Sequence, residues 1–251
     1  MSKGDNQRSS DPRRSGIPGD YQHRAHVTGP AFQRFWHHRR KMLVDDLLPV
    51  GSASKLLDAG CGSGVFSGYL GAKGARVWGV DANEEAVSFA QRTYGRDNVT
   101  FSCAPLHRVS LPDASVNCIL LSEVLEHLTP PYLAIVAREF DRLLMPGGVL
   151  LVTAPNYLSL WPLIEMTLDL FRLVPSLHDQ HVTHTTIGYL KRCSFNSIAT
   201  LEQLGTFNYL LPPLLATIKW GWGERLARVE RHVRLPWGVG VYALWRKTVS
   251  A

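Results

Sequence analysis

The sequence lacks what a membrane-spanning, secreted or disulfide-stapled protein needs. No stretch reaches the roughly 20 apolar residues that cross a bilayer. Its two most apolar segments are interrupted, one by Glu165, Asp169 and Arg172 and the other by Pro212-Pro213. Met1 to Asp20 is polar and has no apolar centre of the kind a secretory signal carries. The four cysteines (Cys61, Cys103, Cys118, Cys193) have no metal-type spacing, and three fall in or beside expected buried strands. They read as small core hydrophobes in a reducing compartment. The expectation is therefore a cytoplasmic protein, with peripheral membrane association left open. No Gly-Lys-Ser/Thr follows a glycine-rich loop, which excludes a phosphate-binding P-loop, and no internal repeat is evident.

What is present is enough for one full hydrophobic core: 251 residues, 45% of them apolar. The net charge of +6 is unevenly placed. Residues 1–41 hold nine Lys/Arg against three acids, residues 219–247 hold seven against two, and residues 42–218 hold 11 against 16. Basic ends on an acidic core fit nucleic acid, anionic lipid or simple solubility. Residues 1–25 are Ser/Arg/Asp/Gly/Pro-rich and have little to bury, so a disordered basic tail is expected there, with one domain over 26–251.

The most informative segment is Leu57-Asp58-Ala59-Gly60-Cys61-Gly62-Ser63-Gly64. An apolar run enters it like a buried strand, three glycines alternate, and a helical pattern follows. Glycines at such a corner let the backbone turn tightly and approach a ligand, and the helix start offers N–H groups to an anionic moiety. Asp81 lies 23 residues beyond Asp58, at the end of the next apolar run, where nucleotide-binding α/β folds place a carboxylate on a ribose. The spacing is not the Gly-x-Gly-x-x-Gly of nicotinamide dehydrogenases. An acid leading the loop suits a cationic ligand group better than a pyrophosphate.

Strands are expected at 55–59, 76–81, 99–103, 116–121 and 148–154, with helices at 30–48, 64–72, 83–94 and 130–144. That alternation implies βαβ units and a parallel sheet. Phe32, Phe35, Trp36 and Leu43 are the buried-face candidates of the first helix, whereas His37, His38, Arg39 and Arg40 read as a solvated face. A helix over 186–203 and strands at 206–211 and 238–246 would complete seven strands. Insertions at about 156–185 and 212–237 are expected to act as lids. In the second, Leu226, Val229 and Val233 repeat at helical spacing among Arg225, Arg228, Arg231 and Arg234. Such a stripe either packs on the domain or docks on an anionic membrane, with Trp220 and Trp222 at the interface.

DAGCGSG, the acid at Asp81, SEVLEHL (122–128) and LLMPGGVLLVTAPN (143–156) together resemble class I S-adenosylmethionine (SAM)-dependent methyltransferases, over roughly residues 50–210. The resemblance implies an α/β, Rossmann-like, seven-stranded mostly parallel sheet with helices on both faces. It also implies a SAM site formed by Asp58, Ala59, Gly60, Gly62, Gly64, Asp81, Ala82, Ala104, Pro105 and Ser122. The chain departs from the pattern at Cys103-Ala104-Pro105, where many relatives carry an acid, which leaves an adenine contact to backbone groups around Ala104. It departs again at Val116-Asn117, where many have Phe-Asp.

Glu123, Glu126 and His127 stand at i, i+3 and i+4 after the fourth strand, a spacing that shares one helical face. Two carboxylates and an imidazole suit a divalent cation such as Mg²⁺ or Mn²⁺. The histidine-dense segment 178–184 offers a fourth ligand in His178, His181 or His184. The Glu-x-x-Glu-His pattern resembles the ubiquinone-biosynthesis O-methyltransferases and the small-RNA 3′-terminal 2′-O-methyltransferases. In the latter, two Glu and two His hold a Mg²⁺ that grips the acceptor hydroxyls. Carried over, the resemblance gives Glu123, Glu126, His127 and His181 as metal ligands. His127 or a loop histidine, with His181 foremost, would be the proton acceptor where no metal is used. The alternative is a structural, pocket-lining role.

The leading expectation is O-methylation of a hydroxyl on a small-molecule, sugar or lipid-linked acceptor, with Tyr157 to Ile164 as an apolar lid. An RNA 2′-O-methyltransferase is the runner-up, disfavoured by the acidic core and the lack of an RNA-binding module. A SAM-binding protein without turnover is the reading from another class.

Overall fold

The computed structural model describes residues 18–48, 50–170, 181–230, 232 and 235–248. Its centre is a seven-stranded sheet in the order β3-β2-β1-β4-β5-β7-β6. The strands are β1 (Lys55–Ala59), β2 (Arg76–Asp81), β3 (Val99–Cys103), β4 (Val116–Ser122), β5 (Leu144–Pro155), β6 (Thr200–Phe207) and β7 (Gly240–Arg246). All neighbouring pairs are parallel except those of β7, which runs antiparallel to β5 and β6. The helices are α1 (Tyr21–Val27), α2 (Ala31–Leu47), α3 (Val65–Ala72), α4 (Glu84–Tyr94), α5 (Pro130–Leu143), α6 (Trp161–Leu170), α7 (Ile187–Leu190), α8 (Leu211–Ile218) and α9 (Trp220–Glu230). Among the described residues no helix is long and apolar enough to cross a membrane.

The central strands are apolar runs because both faces are covered. Leu57, Ile119, Leu121, Leu150 and Val152 face one core, into which α5 inserts Leu133, Val136, Ala137, Phe140 and Leu143 at helical spacing. Leu56, Cys118, Leu120, Val149 and Leu151 face the other, closed by Val44 of α2 and by Phe66 and Leu70 of α3. The α4 start is capped by Asn83, whose side chain accepts from Glu85 N and Ala86 N, and two acids fill its first turn. Cys61, Cys118 and Cys193 are buried free thiols, as a core role requires; Cys103 departs from that expectation and is exposed, because it ends β3, an edge strand of the sheet.

Three expectations are corrected. The tail boundary at residue 25 falls inside α1, which is held by long-range contacts that composition does not reveal: His26 meets Phe66 edge-on at 5.8 Å and Gln22 bonds the glycine loop. Residues 1–17 lie outside the described residues. The helix expected over 186–203 is only α7 and a 3-10 turn at Ser194–Ser197. Asn196 Nδ2 donates to the carbonyls of Leu190, Lys191 and Cys193 and so stops the helix, while its Oδ1 accepts from Trp245 Nε1. The sixth strand therefore starts at Thr200, not 206, and ends before Asn208, whose φ of 65° is left-handed. As an edge strand paired only with β7 it shows little apolar alternation.

Candidate active site

At the carboxyl edge of β1 the chain turns through Gly60, Gly62 and Gly64, with φ of 73°, 49° and 79°. Those left-handed values exclude ordinary side chains. A Cβ on Gly62 would sit 1.7 Å from Gln22 Oε1, and one on Gly60 would sit 2.4 Å from Val124. Gly64 serves differently: its Cα faces Ala90 and Phe101, so it seats α3 rather than a ligand. The loop amides point at polar oxygens. Gly62 N–H donates to Asp81 Oδ2 at 2.8 Å, and Ser63 N–H donates to Gln22 Oε1 at 2.8 Å.

Asp58, 3% exposed, accepts from Ser67 Oγ at 2.6 Å. Burial lifts its carboxyl to about 6 against the opposing pull of Ser67. Burial also raises Asp81, which is held by the N–H groups of Asn83 and Gly62.

A cavity of about 490 Å³ opens beside the loop. Asp58, Gly60, Ser122, Glu123, Glu126, His127 and His181 share its wall with Phe32, Trp36, Val65, Trp161 and Ile164. Of the other expected SAM residues, Asp81, Ala82, Ala104 and Pro105 sit together at the ends of β2 and β3, where Ala104 N–H donates to Asp81 O. Ala59 is wholly in the core.

The expected Glu-x-x-Glu-His face does not form. Glu123 has a φ of 56° and breaks the helical register, and its carboxylate accepts from Thr153 Oγ1 at 2.9 Å. Glu126 and His127 lie on a 3-10 turn, Leu125–His127, and are joined by His181: ligand atoms of these three lie within 4.8 Å of one another. The chain brings His181 there by clamping its loop. Val182 N and Thr183 N both donate to Glu126 O, and Thr183 Oγ1 donates to Leu128 O at 2.7 Å. His184 stacks on Tyr157 at the surface, away from that group, and His178 lies outside the described residues.

Residues the sequence did not single out complete the site. His181 Nδ1 lies 2.8 Å from Glu165 Oε1 and 2.8 Å from the Tyr157 hydroxyl, which donates to Glu165 Oε2 at 2.8 Å. Arg40, read as solvated, is buried at 6% exposure and faces Glu123, Glu126 and Asp58. Its Nη2 donates to His26 Nε2 and His37 Nδ1, whose rings stack at 4.0 Å. Burial, with Arg40 adding, keeps both imidazoles neutral, which makes them acceptors for the guanidinium. Arg39 is buried too, 3.5 Å from Glu230, beside a separate hollow of about 700 Å³ between α2 and β6.

Three carboxylates thus face one guanidinium in a largely apolar hollow. Burial, with Glu123 adding, drives the Glu126 carboxyl well above its ordinary range, and its Oε2 is buried without a hydrogen-bond partner. Such a site favours a cationic ligand, because added positive charge replaces the protons that burial otherwise imposes. Both a sulfonium-ammonium donor and a divalent cation on Glu126, His127 and His181 meet that requirement.

Residues 57–152 match the family model described as "Methyltransferase domain". The chain is 32% identical over 136 residues to a "Probable S-adenosylmethionine-dependent methyltransferase" of Mycolicibacterium smegmatis, covering 54% of this chain and 51% of that protein. It is 34% identical over 111 residues to the mitochondrial ubiquinone biosynthesis O-methyltransferase of Mus musculus, covering 42% of this chain and 30% of that one. The chain spans about half the length, or less, of the curated relatives it matches. In fold it resembles SAM-dependent methyltransferases from Mesorhizobium loti (TM-score 0.59, 21% identity, 88% and 99% of the two chains covered) and Archaeoglobus fulgidus (0.60, 18%, 90% and 99%).

Proposed function

We propose that this chain, whose core is a class I SAM-dependent methyltransferase domain, transfers a methyl group to a hydroxyl oxygen of a small-molecule or lipid-linked acceptor. One observation carries the reading: the glycine loop and the Glu126–His127–His181 group open into the same cavity. When bound, SAM supplies an electrophilic methyl on a sulfonium, open to in-line displacement. The work left to the protein is alignment, exclusion of water and removal of the hydroxyl proton.

Asp58, ionised at neutral pH, is placed to pair with the donor's ammonium, and Asp81 to accept from its ribose hydroxyls. The apolar wall of Trp36, Trp161, Ile164 and Phe66 keeps water from the nucleophile and suits an apolar acceptor. With Nδ1–H donated to the Tyr157 oxygen, whose own hydroxyl donates to Glu165 Oε2, His181 carries its lone pair on Nε2 and takes the hydroxyl proton there, an effect of about 10²–10⁴-fold. Glu165 then steadies the imidazolium. A divalent cation on Glu126, His127 and His181 would instead lower the acceptor hydroxyl's pKa and fix its direction. The two uses exclude each other, because both take the same lone pair of His181.

The test is a screen of phenolic, sugar and lipid-linked alcohols with SAM, read as a 14-dalton gain in product mass, a figure of about one CH₂. Glu126→Gln and chelator are then applied to any acceptor found. Loss of turnover in chelator, restored by Mn²⁺ or Mg²⁺, assigns the metal route; full activity in chelator that is lost in His181→Ala but kept in His127→Ala assigns His181 as base. A chain that takes up no SAM by titration calorimetry overturns the reading.

A further inference from the structure

We propose that α6 and α8 form a docking surface for an anionic lipid membrane, beside the mouth of the active-site cavity. Both β5 and β6 run antiparallel to β7, so the helices that follow them leave the sheet from one edge, the edge that carries the glycine loop. On α6, Leu163, Met166 and Leu170 are 55%, 60% and 73% exposed. On α8, Leu211, Leu214 and Ile218 are 57%, 53% and 73% exposed. Each set falls at i, i+3 and i+7 and therefore makes a continuous stripe on its helix. Single exposed leucines are ordinary on a protein surface, but two stripes on helices that both pack against α2 are not.

Both helices are anchored by other faces. Trp161 of α6 packs on Trp36, with ring centroids 5.7 Å apart, and lines the cavity with Ile164. Pro212, Pro213 and Ala216 of α8 are buried, Ala216 in a small core with Phe35. Of the α9 stripe, Leu226 is half-buried and Val229 is 60% exposed, while Val233 lies outside the described residues; the helix buries Gly223, Ala227 and Glu230.

Charge decides the kind of partner. The rim carries exposed Arg34, Lys219, Arg225 and Arg228. Lys219 Nζ lies 5.8 Å over the half-exposed ring of Trp222, and Arg34 lies 5.7 Å over Trp220. Glu224 of α9, beside these cations, is taken up by His38 and by Trp220 Nε1. Apolar stripes bounded by tryptophans and cations match the boundary between acyl chains and anionic headgroups. The surface stands independently of the acceptor's identity.

The experiment is flotation of the full chain with phosphatidylcholine vesicles, with and without about 30% phosphatidylglycerol. Retention is expected on the anionic vesicles only, falling severalfold at high salt. Leu214→Glu/Ile218→Glu and Leu163→Glu/Met166→Glu should each cut partitioning by about tenfold or more. Far-UV circular dichroism and the heat of SAM binding should match wild type, because the altered side chains are exposed and outside the cavity. Lys219→Ser/Arg225→Ser, which leaves the apolar stripes intact, should abolish the salt dependence. The proposal is overturned if wild type floats with neither vesicle, or if the stripe variants float as well as wild type. It is also overturned if sedimentation velocity shows a dimer that the stripe variants dissociate while no vesicle is bound, which would assign the face to a second copy. Absence of SAM heat in wild type would count against the methyltransferase reading and leave this one standing.

Discussion

The Nδ1 atom of His181 lies 2.8 Å from Oε1 of Glu165, with 4% and 7% of the two side chains exposed. The Tyr157 hydroxyl bridges the pair: it spends its proton on Glu165 Oε2 and so accepts from Nδ1–H, which fixes the tautomer and aims the lone pair of Nε2. Tyr157 completes the arrangement by donating to the second carboxylate oxygen, and burial together with Glu165 pushes its phenol well above the ordinary range, so it remains a donor.

Glu165→Gln is therefore expected to lower kcat by at least about tenfold, while leaving the SAM dissociation constant unchanged by calorimetry. If the metal route operates, the same change should weaken Mn²⁺ affinity by about 10–100-fold. Tyr157→Phe, which removes the hydroxyl bonded to both His181 and Glu165 but leaves the carboxylate beside the imidazole, should cost less. Wild-type kcat and metal affinity in Glu165→Gln would show that the pair is a packing contact only.

Much of this arrangement was legible in the sequence, and the reason for the remainder is physical. Strands β1 to β4 fall within a residue of their expected bounds, and β5 starts four residues earlier, because strands buried on both faces must be apolar throughout. The donor loop was legible for a similar reason: only glycine takes the φ values it needs. Glu165, by contrast, reads in sequence as an interruption of an apolar segment. Its meaning comes from His181, 16 positions away. Arg39, Arg40 and His37 read as solvated because buried charge is made tolerable by partners, and theirs are Glu230, Ser122 and His26, none adjacent in sequence. A signal was present, since Phe35-Trp36-His37-His38-Arg39-Arg40 gives a helix that must bury residues all round. It does not say which partners await them.

Gly64→Ala should destabilise the fold and weaken SAM binding together. A Cβ there would lie 2.7 Å from Ala90 Cβ and 2.9 Å from the Phe101 ring, at a φ of 79°. Strain of that kind costs about 1–3 kcal/mol before any clash is relieved. Thermal denaturation with and without SAM checks this, and a variant with unchanged melting temperature in both conditions would refute the account of the turn.

Phe35→Ala should loosen α2 from the β6–β7 insertion. Phe35 is fully buried, meets Trp220 edge-on at 5.1 Å, and packs with Ala216 and Ala227. Truncation of a buried phenylalanine costs about 3–5 kcal/mol. Because this small core is separate from the two that hold the sheet, the loss should appear first as faster hydrogen exchange in α8 and α9. Uniform acceleration across β1 and β4 would instead make the chain a single cooperative unit.

SAM affinity should depend on pH through Asp58. Burial raises its carboxyl from an ordinary 3.8 to about 6, so between those values the free folded chain holds a proton that the unfolded chain has released. That contribution to stability is fully present below 3.8 and is lost as pH rises through 6; it amounts to roughly 2–3 kcal/mol. A cationic ligand acts in the opposite sense, because it needs the carboxylate. As pH falls below about 6, SAM must displace a proton, and its affinity should drop by up to about tenfold per unit until the carboxyl pKa of the complex is reached. Calorimetry at pH 5, 6 and 7.5 should thus show tightening binding with proton release at the lower values. Asp58→Asn should bind weakly and with a flatter profile, which separates this carboxyl from Glu126 in the same cavity. A wild-type affinity that does not change across that range would remove Asp58 from the donor site.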